Sequence, residues 1–326
     1  MISDRMKVNL PGAIIDLPTL MLKDEEDITE FGLKYDIDFV AASFVRKAAD
    51  IEYIRNILGA KAGSVKIIAK IETHEGLHNY DEILAEADGI MICRADLALE
   101  IPTEKVFIAQ KWMIEKANLA AKPIMIMTQI FDSMMKASRP TRSEASEVSN
   151  AVLDGIDGIC LDNETFVGDY PINAVSMLSK CVVEAERTID WRKSFNDLKM
   201  YSPAPYGTAE SVACAAVASV LDLKVDLIVV HTETGKLARL VAKYKPEVPI
   251  ICCSPNHAVI QHVQCHRGIT GVLVSDQTEI EEQMQKAISF AKKQKLTKTG
   301  SKCVTIHGMN EDSQDESNVM KIMNVE

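Results

Sequence analysis

The sequence predicts an α/β protein: a partial TIM-type (β/α) barrel followed by a smaller doubly wound α/β domain. Three observations lead there. Short apolar, β-branched runs alternate with stretches of helical period through residues 1–190. Five such runs occur, and polar residues stand at the carboxyl end of each: Ser43, Lys70 with Glu72, Arg94 with Asp96, Thr128, and Asp162 or Asn163. Parallel barrels keep their chemistry at that end of the strands. The alternation then lapses over 191–206, which holds Pro203 and Pro205, and restarts over 207–326. Five strands cannot close a barrel with the usual tilt and stagger, so the barrel is read as partial.

Taken in order, residues 1–23 read as loop, with Asn9, Pro11, Gly12 and Pro18 as breakers. Asp24 is expected to open a helix bearing Ile28, Phe31 and Leu33, with Asp27 completing a partial capping pattern. Phe39–Phe44 reads as a strand and Asp50–Leu58 as a helix stopped by Gly59. Val65–Ile71 and Gly89–Cys93 are buried strands flanking a helix that carries Leu77, Ile83, Leu84 and Ala87. Strand parity, carried past the second of them, groups Ile90, Ile92, Arg94 and Asp96 on one face, as it groups Ile68, Lys70 and Glu72. A helix over Thr103–Ala121 follows, then a strand Ile124–Thr128 and a helix capped by Thr141 or Ser143 and running to Leu153. Gly158–Leu161 is the fifth strand, and Asp169–Glu186 is helical. Residues 191–206 are read as a linker. Helices are then expected at Thr208–Leu223, Gly235–Tyr244, Asn256–His266 and Thr278–Lys293. Strands are expected at Asp226–His231, Pro249–Cys253, Gly271–Val274 and Lys302–His307, with Ser317–Val325 as an added edge.

The chain has 326 residues, 47% hydrophobic and 25% charged, which suits two globular cores. A net charge of −11 argues against a nucleic-acid or anionic-membrane surface. Eight scattered cysteines form no CxxC and read as reduced core thiols. Asp4, Arg5 and Lys7 interrupt any early apolar run, and no run approaches a membrane span, so a cytoplasmic location is expected.

The chemistry concentrates in Val65–Glu100. Two carboxylates facing one cavity, Glu72 and Asp96, would repel unless a cation lay between them. A hard divalent ion suits such a pair. The plainer alternative is an internal ion-pair network, Glu72 with Lys70 and Asp96 with Arg94. Lys70 beside a metal would steady charge on a phosphoryl or enolate oxygen, or else simply pair with a carboxylate. Thr128 positions a water or a substrate oxygen, or caps the Ile130–Met135 turn. The run Ser138–Asn150 suits an anion, an interface or a capped surface helix. The His231–Lys236 loop (HTETGK) joins strand to helix in a way that suits phosphate.

Read together, IIAKIETHEG, GIMICRADLALEIP, MTQIFDSM, SRPTRSEASEVSNAVLDG and NETFVGDYP closely resemble the pyruvate kinase family, as does NLPGAIIDLP. The resemblance implies phosphoryl transfer from phosphoenolpyruvate to ADP, giving pyruvate and ATP, with Mg²⁺ or Mn²⁺ as cofactor. It implies that Lys70 stabilises the phosphoryl group and that Glu72 and Asp96 hold the metal. The Ala95–Asp96 backbone would meet the substrate carboxylate, and Thr128 would lie near the enolate face. Arg142 and Glu144 match a segment at a subunit interface, so a homo-oligomer is expected, a homotetramer in the family. Thr232, Thr234 and Gly235 match a sugar-phosphate loop, in which Glu233 adds a negative charge. The family's first three barrel strands and inserted lid have no counterpart here, and the expected K⁺ ligands and much of the nucleotide site go with them. Ala95 and Ala98 stand where the family has glycine, Asp162-Asn163-Glu164-Thr165 where it has SGET, and Lys7 in place of a glycine. Two other readings stand beside the kinase: a non-catalytic subunit that assembles with a full-length homologue, and a metal-enolate aldolase-type barrel enzyme.

Overall fold

The structure, a computed structural model, describes residues 8–13, 17–275, 277, 279–308 and 317–325. Lys7 and Thr278 lie outside the described residues. The chain divides into two compact units, one ending at Arg187 and the other beginning at Thr188, with Asn118–Pro123 grouped with the second.

The first unit is built on a sheet of five parallel strands, β1 (Phe39–Ala42), β2 (Lys66–Ile71), β3 (Gly89–Cys93), β4 (Ile124–Met127) and β5 (Gly158–Cys160), in sequential order. Alternation along these apolar runs sends residues to two different cores. Ile67, Ala69, Ile71, Ile90, Ile92, Ile124 and Ile126 pack outward with the helices. Ile68, Met91 and Cys93 form a smaller inward cluster with Phe39, Met125, Met127 and Cys160. β2 and β3 are covered on both faces, which is why they read as continuous apolar runs rather than alternating ones. β1 and β5 stand at the two ends of the strand order, as expected of a partial barrel.

Several boundaries differ from expectation for local reasons. The first helix starts at Leu22, because the Asp24 carboxylate accepts from Met21 N at 2.7 Å and so occupies its first turn. It continues as a π-helical turn over Asp27–Gly32, and Asp27 pairs with Lys23 (2.6 Å) instead of capping. The stretch after β2 is two helices, His74–His78 and Tyr80–Glu86, meeting at Asn79, whose amide donates to Arg46 O at 2.8 Å. Thr141 caps the helix Arg142–Asp154 by accepting from Glu144 N (3.2 Å), and Gly155 ends it in the left-handed region. A short helix, Asn163–Phe166, precedes the long one, Pro171–Glu186.

Gly76 is required by close approach. A Cβ there would lie 2.6 Å from Val45 O, in the loop that follows β1 and carries Ser43 and Phe44. Gly76→Ala is expected to lower stability by about 2 kcal/mol, a melting shift of roughly 5 °C. An unchanged thermal melt would show that the loop yields freely.

Asp88 ties β2 to β3. Its carboxylate accepts from Ile67 N (3.0 Å) and pairs with Arg55 (3.0 Å) and Lys66 (3.4 Å). Burial alone would raise its pKa, but the Ile67 N–H and the two cations outweigh burial and hold it below 3.8. A depressed folded pKa means stability present above the unfolded value and lost as pH falls through the folded one. The melting gap between wild type and Asp88→Asn should therefore be full at neutral pH and close below 3.8. A gap independent of pH would remove this role.

The second unit is doubly wound. Its sheet runs β10 (Ser317–Asn324), β9 (Lys302–Gly308), β6 (Leu227–His231), β7 (Ile250–Ser254), β8 (Ile269–Leu273), with only β10 antiparallel. Apolar cores lie on both of its faces. Residues 191–206, expected as a linker, contain a helix, Trp191–Tyr201, whose Phe195 joins the second unit's core against Tyr244 (5.8 Å). Its polar exposed face hid the apolar stripe from a reading by composition.

Candidate functional site at the strand ends

β2 ends in Lys70 and Ile71, and Lys70 lies beside Met91 in register, on the inward face. Its ammonium donates to Ser43 Oγ at 2.8 Å and pairs with Glu72 Oε1 at 3.2 Å. Glu72 is 2% exposed, and its Oε2 accepts from Phe44 N at 2.9 Å. Burial alone would lower the Lys70 pKa, yet the charge of Glu72, with a further contribution from Asp96, lifts it above 10.5. The ammonium is therefore a permanent cation at neutral pH. Cys93 lies among the same groups, and burial, then the charge of Glu72, keeps its thiol protonated.

Asp96 reaches this cluster by a route other than the expected one. β3 stops at Cys93, and Arg94–Glu100 is a helix. Ile90 and Ile92 face outward, so parity extended from them would have sent Arg94 and Asp96 away from Lys70. The change to helix at Arg94 turns Asp96, in the first turn and 7% exposed, back into the field of Lys70 and Cys93. Ala95 and Ala98 sit in that helix without left-handed backbone, a setting that favours alanine over glycine.

Thr128 is likewise not carried in by strand parity, since Ile124 and Ile126 face outward. It follows β4 with φ 65°, and Gln129 follows with φ 52°. Consecutive left-handed residues other than glycine are uncommon and collect at working sites. Thr128 Oγ1 accepts from Ala95 N (3.0 Å) and donates to Met127 O (2.6 Å), so it does not cap the next turn, whose N-cap is Phe131. Arg94 does not pair with Asp96. It is 5% exposed and grips the Thr128 and Gln129 carbonyls while pairing with Glu147 at 3.0 Å. The ion-pair alternative thus holds for Lys70 with Glu72 and fails for Arg94 with Asp96.

Sequence reasoning passed over two residues here. Ser43 stood as a polar strand end without a role, and it is the Lys70 partner. Glu164, 1% exposed, accepts from Phe131 N (2.8 Å) and Asp162 N (2.9 Å), joining the loops after β4 and β5. The match of Asp162–Thr165 to the family's SGET was the available signal. Asp162 itself lies past the end of β5, at the N-cap of the short helix. Glu144 closes a capping box with Thr141 and accepts from Ser133 N at 2.8 Å, while Arg142 is exposed on the same helix.

In the second unit Thr232 Oγ1 accepts from Gly235 N (3.0 Å) and Thr234 Oγ1 from Lys236 N (3.3 Å). Gly235 has φ 78°, and a Cβ there would meet Val263 at 2.8 Å. Glu233 is half-buried between the threonines.

The fold and this strand-end cluster define a partial (β/α)-barrel protein with an inward lysine and two buried carboxylates. The pyruvate kinase barrel-domain family model matches residues 1–175, and the pyruvate kinase alpha/beta-domain model matches residues 210–323. The chain belongs to the pyruvate kinase family. It is 46% identical to a pyruvate kinase of Eimeria tenella over 325 residues, covering 100% of this chain and 61% of the relative. With a pyruvate kinase of Dictyostelium discoideum it shares 43% identity, over 99% of this chain and 64% of the relative. A crystal structure of a pyruvate kinase from Cryptosporidium parvum superposes with a TM-score of 0.92 at 40% identity, covering 98% of this chain and 64% of that one. The chain therefore spans between three-fifths and two-thirds of the length of these relatives. They give no support to the aldolase-type reading or to a purely assembling subunit.

Proposed function

We propose that this chain carries the central part of a pyruvate kinase site and moves a phosphoryl group from phosphoenolpyruvate to ADP. The observation that carries the reading is the Lys70 ammonium, held by Ser43 and Glu72 within the field of Asp96. In the reaction the phosphorus–enol oxygen bond breaks and a phosphorus–oxygen bond to ADP forms. Negative charge moves onto the enol oxygen, and C3 then takes a proton to give pyruvate. A fixed cation beside the transferring group stabilises that charge without reorganising.

Glu72 and Asp96 would hold Mg²⁺ or Mn²⁺. Glu72 accepts from Phe44 N, the Lys70 ammonium and the Cys93 thiol, and a carboxylate with about four lone-pair sites keeps capacity for one more partner. Two carboxylates completed by water and substrate oxygens suit a hard cation, which when bound neutralises phosphoryl charge. K⁺ is proposed only from the family. A substrate carboxylate at the Ala95 and Asp96 amides would take the Ala95 N–H from Thr128. That exchange frees the Thr128 hydroxyl to turn from Met127 O toward the enolate carbon, linking substrate binding to the proton step. Thr232, Thr234 and Gly235 would receive an effector phosphate, and Arg142 with Glu144 would border a partner copy in a homo-oligomer. A cytoplasmic location is proposed from relatives named as cytosolic isozymes.

Supplied with phosphoenolpyruvate, ADP and Mg²⁺, the protein should form equal amounts of pyruvate and ATP and stop on addition of EDTA. Its enolate half is checked separately by deuterium exchange into the methyl group of pyruvate, read by NMR with no nucleotide present. Absence of both reactions would overturn the proposal. Exchange without transfer would favour a chain that takes its nucleotide contacts from elsewhere.

A further inference from the structure

Away from the strand ends, the first unit has a cavity of about 530 Å³ between the helices His74–His78 and Val106–Leu119. Leu77, Ile101 and Ile108 line it with apolar surface, and Trp112 adds an aromatic ring. That ring packs on Tyr80 at 5.1 Å and remains 36% exposed. Lys116 lies over it at 4.4 Å but is committed to Asp81 at 2.6 Å. The ionisable groups in the lining are His74, His78 and Lys105, all bases, and no carboxylate lines the cavity. Among the described residues none of the three is engaged in an ion pair. In a chain of net charge −11, Lys105 places a full cation in this lining, and the two imidazoles add hydrogen-bond donors.

We propose that this cavity is a binding site for a small planar aromatic carboxylate. Covering the indole and the aliphatic lining removes apolar area from water on both partners. The bases supply a charge preference that an apolar groove alone lacks, and side chains on separate helices can meet one carboxylate from different directions. Two walls continue directly from the strand-end cluster. His74 follows Glu72 by two residues, and Ile101 is the C-cap of the helix that carries Asp96. Binding at this cavity is independent of the proposed phosphoryl transfer.

The test is calorimetric titration of the full chain with 1-naphthoate and with neutral 1-naphthamide. Naphthoate should bind about threefold to fivefold more tightly, the difference one screened charge contact makes. The triple variant His74→Gln, His78→Gln, Lys105→Gln should bring naphthoate down to the naphthamide level while leaving naphthamide unchanged. All three side chains are exposed, so its thermal melt should match wild type. In a Trp191→Phe background the remaining Trp112 emission should respond to naphthoate. Equal affinity for the two probes, no saturable binding, or naphthoate binding unaltered in the triple variant would each overturn the site.

Discussion

Lys70→Met is expected to lower phosphoryl transfer by a factor of about 10² to 10³ or more, the loss typical of one preorganised electrostatic contact. The fall should appear in kcat more than in KM, because the ammonium is needed most where charge develops on the enol oxygen. Removing the cation also leaves Glu72 buried with only the neutral Phe44 N–H and Cys93 thiol as partners among these groups. Breaking a buried pair costs about 3 kcal/mol, so the variant should melt lower as well. Lys70→Arg separates the two effects, since it keeps the charge but spreads it over a planar fork in place of the compact ammonium between Ser43 and Glu72, and it should recover stability more than rate. A group whose folded pKa is raised contributes fully below 10.5 and loses its contribution as pH rises through the folded value. The pair is therefore intact throughout the neutral range, and rate changes there belong to other groups. Equal kcat in wild type and Lys70→Met would remove Lys70 from the reaction.

Arg94→Met should be nearly as damaging, by a different path. Arg94 contacts neither Lys70 nor Glu72; it donates to the carbonyls of Thr128 and Gln129, the two left-handed residues after β4. Without it two carbonyls lose a buried donor, which costs roughly 3 kcal/mol in total, and the loop is free to leave its strained conformation. Melting should fall by roughly 10 °C. Deuterium exchange into pyruvate should fall with it, because Thr128 would lose its place beside Ala95 N. Glu147→Gln is the control. Glu147 has a side chain 48% exposed, so losing its charge should change little. If Glu147→Gln matched Arg94→Met, the ion pair and not the carbonyl grip would hold the loop.

Much of this site is legible in the residues alone. Lys70 and Glu72 stand at the end of a strand that is regular to Ile71, so a period of two places them correctly. Parity fails one strand later because β3 becomes helix at Arg94, and a rule for strands says nothing beyond the strand's end. Thr128 shows the same limit. A left-handed turn re-aims it, and left-handed backbone at a threonine leaves no mark in the sequence because only its neighbours' hydrogen bonds hold it there. The helix Trp191–Tyr201 is lost to composition, since one buried face among charged residues looks like a connector until Phe195 has a core to enter.

By itself the sequence determined the family, the two α/β units, the strand positions to within a residue or two, and the residue types gathered at the strand ends. These follow from local periodicity and from motifs, which are short-range properties of the chain. Only the tertiary structure decided which partner each charge takes: Lys70 with Ser43 and Glu72, Arg94 with the loop after β4 and Glu147, Asp96 turned inward by a helix. Apart from Lys70 with Glu72, the hydrogen bonds among them join residues 27 to 53 positions apart. Their choice depends on burial and direction at the end of each strand, which no local pattern encodes.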